Sequence, residues 1–405
     1  MIQHIAIPWS MWRDRRQLQL GVPPGWNVRV CPMRGAAALS QAEIEERLRR
    51  PGGAAWRDVV SGAATACIAT DDLARPTPAS RVLPAVCEEL LGAGITDITI
   101  IIATGCHRPL SRAEMALKVG EEVLRAHRVI NHNPFCGLVD LGRSSRGTPY
   151  RLNEEFCKAD VRIVVGSVTP NYMAGFGGGA KLVLPGLASI ETVCANHGLA
   201  SGTEPGNLAQ PIREEMEELA ALVGVDVAVS CVLNADAEVS TVYVGRLRET
   251  YLQAAARARA INSTPAFGPA DVLVLNAFPK DNELTQIKSA FNPVFSARTG
   301  LVRQGGTVVV VSSAWDGVGF HAMYANPEGL VRAHLRCMAD YVDAQLVLCT
   351  SHAGKLTMGP EEGVQICADW KQVVSFIRER HGPEPLVSVF PQAALQICEP
   401  RGSHA

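Results

Sequence analysis

Short aliphatic and β-branched runs alternate along the chain with longer stretches whose apolar positions recur every three to four residues. The runs at 65–70 (TACIAT), 97–103 (DITIIIA) and 161–168 (VRIVVGSV) read as buried strands, and 79–93 and 111–127 read as helices between them. Further on, 213–223 predicts a helix, 226–233 a strand and 249–261 a helix. A second series opens with a strand at 270–276, passes through a helical stretch at 282–303 and returns as a strand at 305–313, a complete βαβ unit. Strands at 341–351 and 385–391 follow. This alternation predicts an α/β protein of mainly parallel sheets flanked by helices.

At 405 residues the chain is longer than one core usually organises. The Pro- and Gly-bearing segment STPAFGPA (263–270) marks the boundary, giving lobes 1–265 and 266–400 with the active site expected in the cleft between them. Lys+Arg number 38 and Asp+Glu 40, and no basic cluster is dense enough to follow a phosphate backbone, so nucleic acid is excluded as a partner. No run approaches the roughly 18 apolar residues that span a bilayer. The 12 cysteines are scattered without a CxxC, and no secretory segment opens the chain, which predicts reduced thiols in a cytoplasmic protein. The tail 400–404 (PRGSH) has the look of an expression remnant and is set aside.

In parallel α/β sheets ligands sit beyond the carboxyl ends of the strands. Three loops there carry unusual chemistry: 71–78 (DDLARPTP), 104–109 (TGCHRP) and 170–181 (PNYMAGFGGGAK). If their strands are neighbours, they gather a carboxylate pair, two arginines, His107 and Lys181, the outline of a site for a small anion. Taken singly, each has a plainer reading. Asp72 and Arg75 could cap their own loop, while the turn just after a buried strand favours a functional His107 over a structural one. His132, amid Asn and Pro, reads as a turn residue. The glycine run is not a phosphate loop of the Walker type, because Ala180 precedes the lysine and Leu182 follows it. Its three glycines could still let the backbone approach a flat group, and Lys181, backed by apolar residues, could act as a nucleophile. His197, sixteen residues on, reads either as a cap on a helix C-terminus or as a metal ligand.

The ordered set Asp-Asp-x-x-Arg-Pro-Thr-Pro, Thr-Gly-x-His-Arg-Pro, His-Asn-Pro, Ala-Gly-Phe-x-Gly-Gly-x-Lys-x-x-x-Pro-Gly and a histidine sixteen residues after the lysine resembles the nickel-pincer nucleotide-dependent lactate racemase family. The match is dense over residues 66–200 and continues more weakly through Phe278-Pro279-Lys280-Asp281 and Gln286. The resemblance implies two α/β domains around a pyridinium mononucleotide that holds nickel and is tethered to a lysine. It implies that Lys181 carries this cofactor, that His197 binds the nickel, that Asp72, Leu73, Ala74 and Arg75 contact the nucleotide, and that His107 is an acid/base. The implied activity is racemisation or epimerisation of a 2-hydroxy acid by reversible hydride transfer.

Three departures from the family pattern bear on the substrate. Asn171 stands where the family usually has a second catalytic histidine, ten residues before the lysine. The family's carboxylate-holding Gln and Lys, three apart, correspond to Gln286 and Lys288, two apart. Ala74 replaces a threonine. Asn171 and Tyr172 therefore become candidate substrate contacts, and the expected substrate shifts from lactate toward a larger or polyhydroxylated 2-hydroxy acid. The rival readings are a non-inverting oxidoreductase of the same family and a cofactor-binding protein without catalysis.

Overall fold

The computed structural model describes residues 3–200, 202, 204–297, 300–356 and 363–399. The expected tail 400–404 lies outside the described residues. The chain divides into two compact units. One comprises Ala36–Ala260 with the short segment His321–Met323, the other Met1–Gly35, Ile261–Phe320 and Tyr324–Ala405. The sequence reading cuts the chain once, at 265/266. The first 35 residues instead join the later part, because Asn27–Val30 adds as a parallel edge strand beside Leu386–Phe390.

The Ala36–Ala260 unit is built on a six-stranded sheet in the order Val239–Gly245, Val227–Leu233, Val161–Ser167, Thr65–Asp71, Asp97–Ala103, Arg128–Asn131. Only the first pair is antiparallel. The central strands are aliphatic on both faces because helices cover both sides of a parallel sheet, and Ile68, Ile100, Ile101, Ile163 and Val165 are fully buried. The strands expected at 65–70, 97–103 and 161–168 are present and adjacent, so their three carboxyl-terminal loops emerge side by side. Thr65 lies opposite Asp97, and Ala66 opposite Val161.

The other unit holds a second six-stranded sheet, wholly parallel, in the order Val364–Cys367, Gln345–Thr350, Val302–Ser312, Ala270–Asn276, Leu386–Phe390, Asn27–Val30. A hairpin of Gln3–Trp9 and Arg16–Val22 packs Ile7, Leu20 and Val22 onto its core.

Differences from the periodicity reading have local causes. The helix expected over 111–127 is broken at Gly120, whose φ of 92° ends Arg112–Val119 before Glu121–Ala126 begins. The stretch 282–303 is a 3-10 run, Leu284–Phe291, then a short α-helix, Asn292–Ser296, with Pro293 in its first turn. The helices Pro327–Val342 and Trp370–His381 are absent from the sequence reading although each has an N-cap, Asn326 and Asp369. Among the described residues, no helix is long and apolar enough to cross a membrane.

Candidate active site

Asp71 closes the strand Thr65–Asp71, and its carboxylate is buried. Thr77 donates its hydroxyl proton to Asp71 Oδ2 (2.5 Å), and Lys118 Nζ lies 2.6 Å from Oδ1. The same Thr77 oxygen contacts Ser167 Oγ at 2.8 Å and accepts the Ser167 amide at 2.8 Å, tying the first loop to the end of the neighbouring strand. Lys118, fully buried on Arg112–Val119, also donates to the backbone carbonyls of Asp72 (2.9 Å) and Arg75 (3.1 Å). One ammonium thus fixes both ends of the Asp72–Arg75 loop. That helix starts with a capping box, Ser111 and Glu114, and Glu114 receives a bidentate ion pair from Arg108 (2.7 and 2.9 Å). Arg108 is therefore committed to the scaffold.

The second loop turns at Gly105, whose φ is 55° and whose missing Cβ leaves room for the Pro185 carbonyl. This presents His107 to Asp72. His107 Nδ1 lies 2.6 Å from Asp72 Oδ2, while Ala74 donates its amide to Asp72 Oδ1 at 3.0 Å. Burial alone raises the Asp72 carboxyl, but the charges of His107, Arg75 and Lys118 outweigh it and hold the group below the usual carboxylate range. The sequence reading pairs Asp72 with Arg75 or with a nucleotide. The 2.6 Å partner is His107, a pairing hidden by a separation of 35 positions. Leu73 and Ala74 are buried.

Across from His107 sits His321. The two form an isolated antiparallel bridge, the Ala322 amide donates to the Cys106 carbonyl (2.7 Å), and the imidazoles meet edge to face at 5.3 Å and 69°. His352, another histidine of the later chain, has its Nδ1 3.1 Å from the Ser313 carbonyl.

The third loop carries Asn171, Tyr172 and Lys181. Asn171 Oδ1 accepts the amides of Met173 (3.2 Å) and Ala174 (2.9 Å), an Asx turn that shapes its own loop. The glycines make room for the chain itself. A Cβ on Gly175 would stand 2.0 Å from the Asn207 carbonyl, on Gly178 2.7 Å from that of Ser167, and on Gly179 2.7 Å from the Tyr251 ring. Beneath them lies Arg213, 1% exposed, which donates to the carbonyls of Ala174, Phe176 and Gly178 and stacks 4.4 Å over Tyr251. Sequence reasoning places 213 only as the start of a helix; a buried arginine has no local signature. Lys181 sits on the 3-10 turn Gly179–Leu182.

His197 ends the helix Ile190–His197, capped at its start by Ser189. Its Nδ1 is buried and has no hydrogen-bond partner. Burial first, then the Lys181 ammonium, push its pKa down to about 3 against the opposing pull of the Val193 carbonyl, so the ring is neutral. A neutral imidazole at this position fits a metal ligand.

Of the residues expected in the later chain, Gln286 donates to Glu283 Oε1 (3.3 Å) and Lys288 Nζ lies 5.9 Å from the Phe295 ring centre. Both are on Leu284–Phe291, whose three-residue turn sends side chains two apart to different faces. Lys280 and Asp281 are buried, and Asp281 accepts the amides of Ser10 (2.8 Å) and Met11 (3.2 Å).

Residues 14–207 match the model of the lactate racemase N-terminal domain, which spans all three loops and His197. The chain is thus similar to lactate racemases in its N-terminal half and in its fold. Its relatives include a lactate racemase of Lactiplantibacillus plantarum, 27% identical over 71% of this chain and 70% of that one. Another is the lactate racemase of Thermoanaerobacterium thermosaccharolyticum, 26% identical over 71% and 69%. The fold is that of the lactate racemase apoprotein from the latter organism (TM-score 0.77, 19% identity, 98% of this chain and all of that one). It is also that of a Thermotoga maritima structural-genomics target (TM-score 0.65, 16% identity, 91% and 100%).

Proposed function

We propose that the protein is an isomerase, a racemase or epimerase inverting the α-carbon of a 2-hydroxy acid, working with a nickel-pincer nucleotide tethered to Lys181. Similarity to lactate racemases supports the racemase class, and the observation that carries the reading is the Asp72–His107 pair beside Lys181 and His197. The cofactor fits these residues: His197 offers a neutral ring with an unpartnered nitrogen, and among the described residues no cluster of three or more His, Cys, Asp or Glu could hold a metal unaided. In this reading Lys181 would hold the organic part and His197 the nickel. Bound there, the group would supply an acceptor for the hydride of the substrate α-carbon.

The chain's own residues do the rest. His107, donating its Nδ1 proton to Asp72, offers Nε2 as the base that takes the substrate hydroxyl proton and later returns it. Asp72 fixes that tautomer and stabilises the imidazolium that forms. Arg75 and the backbone of Leu73 and Ala74 are proposed to meet the nucleotide, and Gln286 and Lys288 the substrate carboxylate. Asn171 cannot exchange protons near neutral pH. Its oxygen is held by its own loop, so it would act on substrate only through its amide N–H, beside Tyr172. This favours a substrate richer in hydroxyls than lactate. The test is chiral chromatography of lactate, malate and sugar acids after incubation with protein matured in a host that makes the cofactor. The expected result is inversion of at least one. Accumulation of a keto acid without inversion would favour the oxidoreductase reading, and no reaction a cofactor carrier.

A further inference from the structure

We infer that His321 is the second imidazole of the reacting centre: through Nε2–H it donates a hydrogen bond to the same substrate oxygen that His107 deprotonates. This rests on the racemase reading and supplies what Asn171 lacks. The inference starts from the outer edges of the two rings. His107 Nδ1 faces a carboxylate, Asp72, at 2.6 Å, so it carries the proton and Nε2 the lone pair. His321 is the reverse. The Met323 amide points at its Nδ1 (3.4 Å), and an amide N–H can only donate, so Nδ1 carries the lone pair and Nε2 the proton. Two imidazoles 5.3 Å apart are thus set in opposite tautomers, one to accept a proton and one to donate a hydrogen bond.

The position is not incidental. His321–Met323 is a three-residue segment that clusters with the Ala36–Ala260 unit although both of its flanks belong to the other unit. The His107–His321 bridge and the Ala322 to Cys106 hydrogen bond hold it on the catalytic loop. Burial above all, with the Arg75 charge adding to it and Asp72 opposing it, pushes the His321 pKa down to about 3. Such a ring stays neutral and is a poor base, so it holds the oxygen while His107 alone moves the proton: the O–H bond breaks as the His107 Nε2–H bond forms, and the same proton path runs backward. A neutral imidazole donor strengthens its bond as the substrate oxygen gains carbonyl character.

The test compares His321→Gln, which keeps an N–H donor, with His321→Leu, which does not. In cofactor-loaded protein, His321→Leu is expected to lose about 10²–10³-fold in turnover, the usual effect of removing one such donor, while His321→Gln recovers most of it. Single-turnover rates from the two enantiomers should fall together. A Gln variant as inactive as Leu, or loss from one enantiomer alone, would mean that His321 exchanges protons and would overturn the inference. A second readout needs no activity. ¹⁵N NMR of histidine-labelled protein without cofactor should show His321 protonated at Nε2 and unchanged over about pH 5 to 9; a proton on Nδ1, or a titration there, overturns it. Absence of turnover by the wild type on any hydroxy acid overturns the racemase reading, and the substrate role with it, whatever the tautomer.

Discussion

The two units carry sheets of the same kind, six strands and mostly or wholly parallel, yet they use the polar residues at their carboxyl ends differently. In the Ile261–Phe320 region the strand-end groups tie loops to the frame, and the buried Asp281 carboxyl serves the same end by accepting the Ser10 and Met11 amides. Asn276 donates to the carbonyls of Pro8 (2.6 Å) and Pro391 (2.8 Å), and Ser313 donates to that of Asp281 (2.8 Å). In the Ala36–Ala260 unit the corresponding edge gathers charges and imidazoles: Asp71, Asp72, Lys118, His107, Lys181 and His197. Amides and hydroxyls satisfy a buried backbone at little electrostatic risk, whereas buried charges need one another and become reactive when a partner is exchanged. Architecture alone does not locate a site; the chemistry of the strand ends does.

If that contrast holds, Asp72→Asn gives the largest effect: the amide no longer secures the His107 tautomer, and turnover should fall by about 10²–10⁴-fold with little change in the melting temperature. Steady-state kinetics beside calorimetry check it. Lys118→Met should act through the fold instead, leaving Asp71 buried without its ion-pair partner at a cost of about 3–5 kcal/mol, read by urea unfolding. Asn276→Ala should cost about 1–3 kcal/mol for the two carbonyls it leaves unpaired, while kcat stays within error, since the Asn276 amide donates to backbone carbonyls and has no place in the proposed reaction.

The smallest effect is one of pH. His132, whose ring contacts the Ala188 carbonyl (3.0 Å) and Asn153 (3.3 Å), has its pKa pushed by burial down to about 4. The unfolded chain takes up that proton near pH 6.5 and the folded chain does not, so the stabilisation is complete above 6.5 and is lost as pH falls toward 4. Between those values His132 should contribute up to about 1.4 kcal/mol per pH unit. His132→Phe should flatten the stability profile by about one proton; an unchanged slope would place the ring in solvent.

The sequence made the α/β class and the three central strands legible because strands buried on both faces are runs of aliphatic residues needing no partner to be recognised. Loops 71–78, 104–109 and 170–181 were equally visible, since unusual residues follow those runs directly. What stayed hidden depends on pairing across distance. Asp72 with His107, Arg213 under the glycines, and His321 against His107 join residues 35 or more positions apart, where periodicity carries no information. The glycine loop has a packing role that spacing did not show, because its glycines clear space for Asn207, Ser167 and Tyr251. The resemblance to a family placed Lys181 and His197, which spacing alone left open.

The account rests most heavily on Lys181 and His197 as the two anchors of one bound group, and native mass spectrometry of protein from a cofactor-producing host tests this directly. Wild type should carry one organic adduct and one nickel per chain, Lys181→Ala neither, and His197→Ala the adduct with nickel largely lost. An adduct that survives Lys181→Ala, or nickel that stays stoichiometric in His197→Ala, would contradict it.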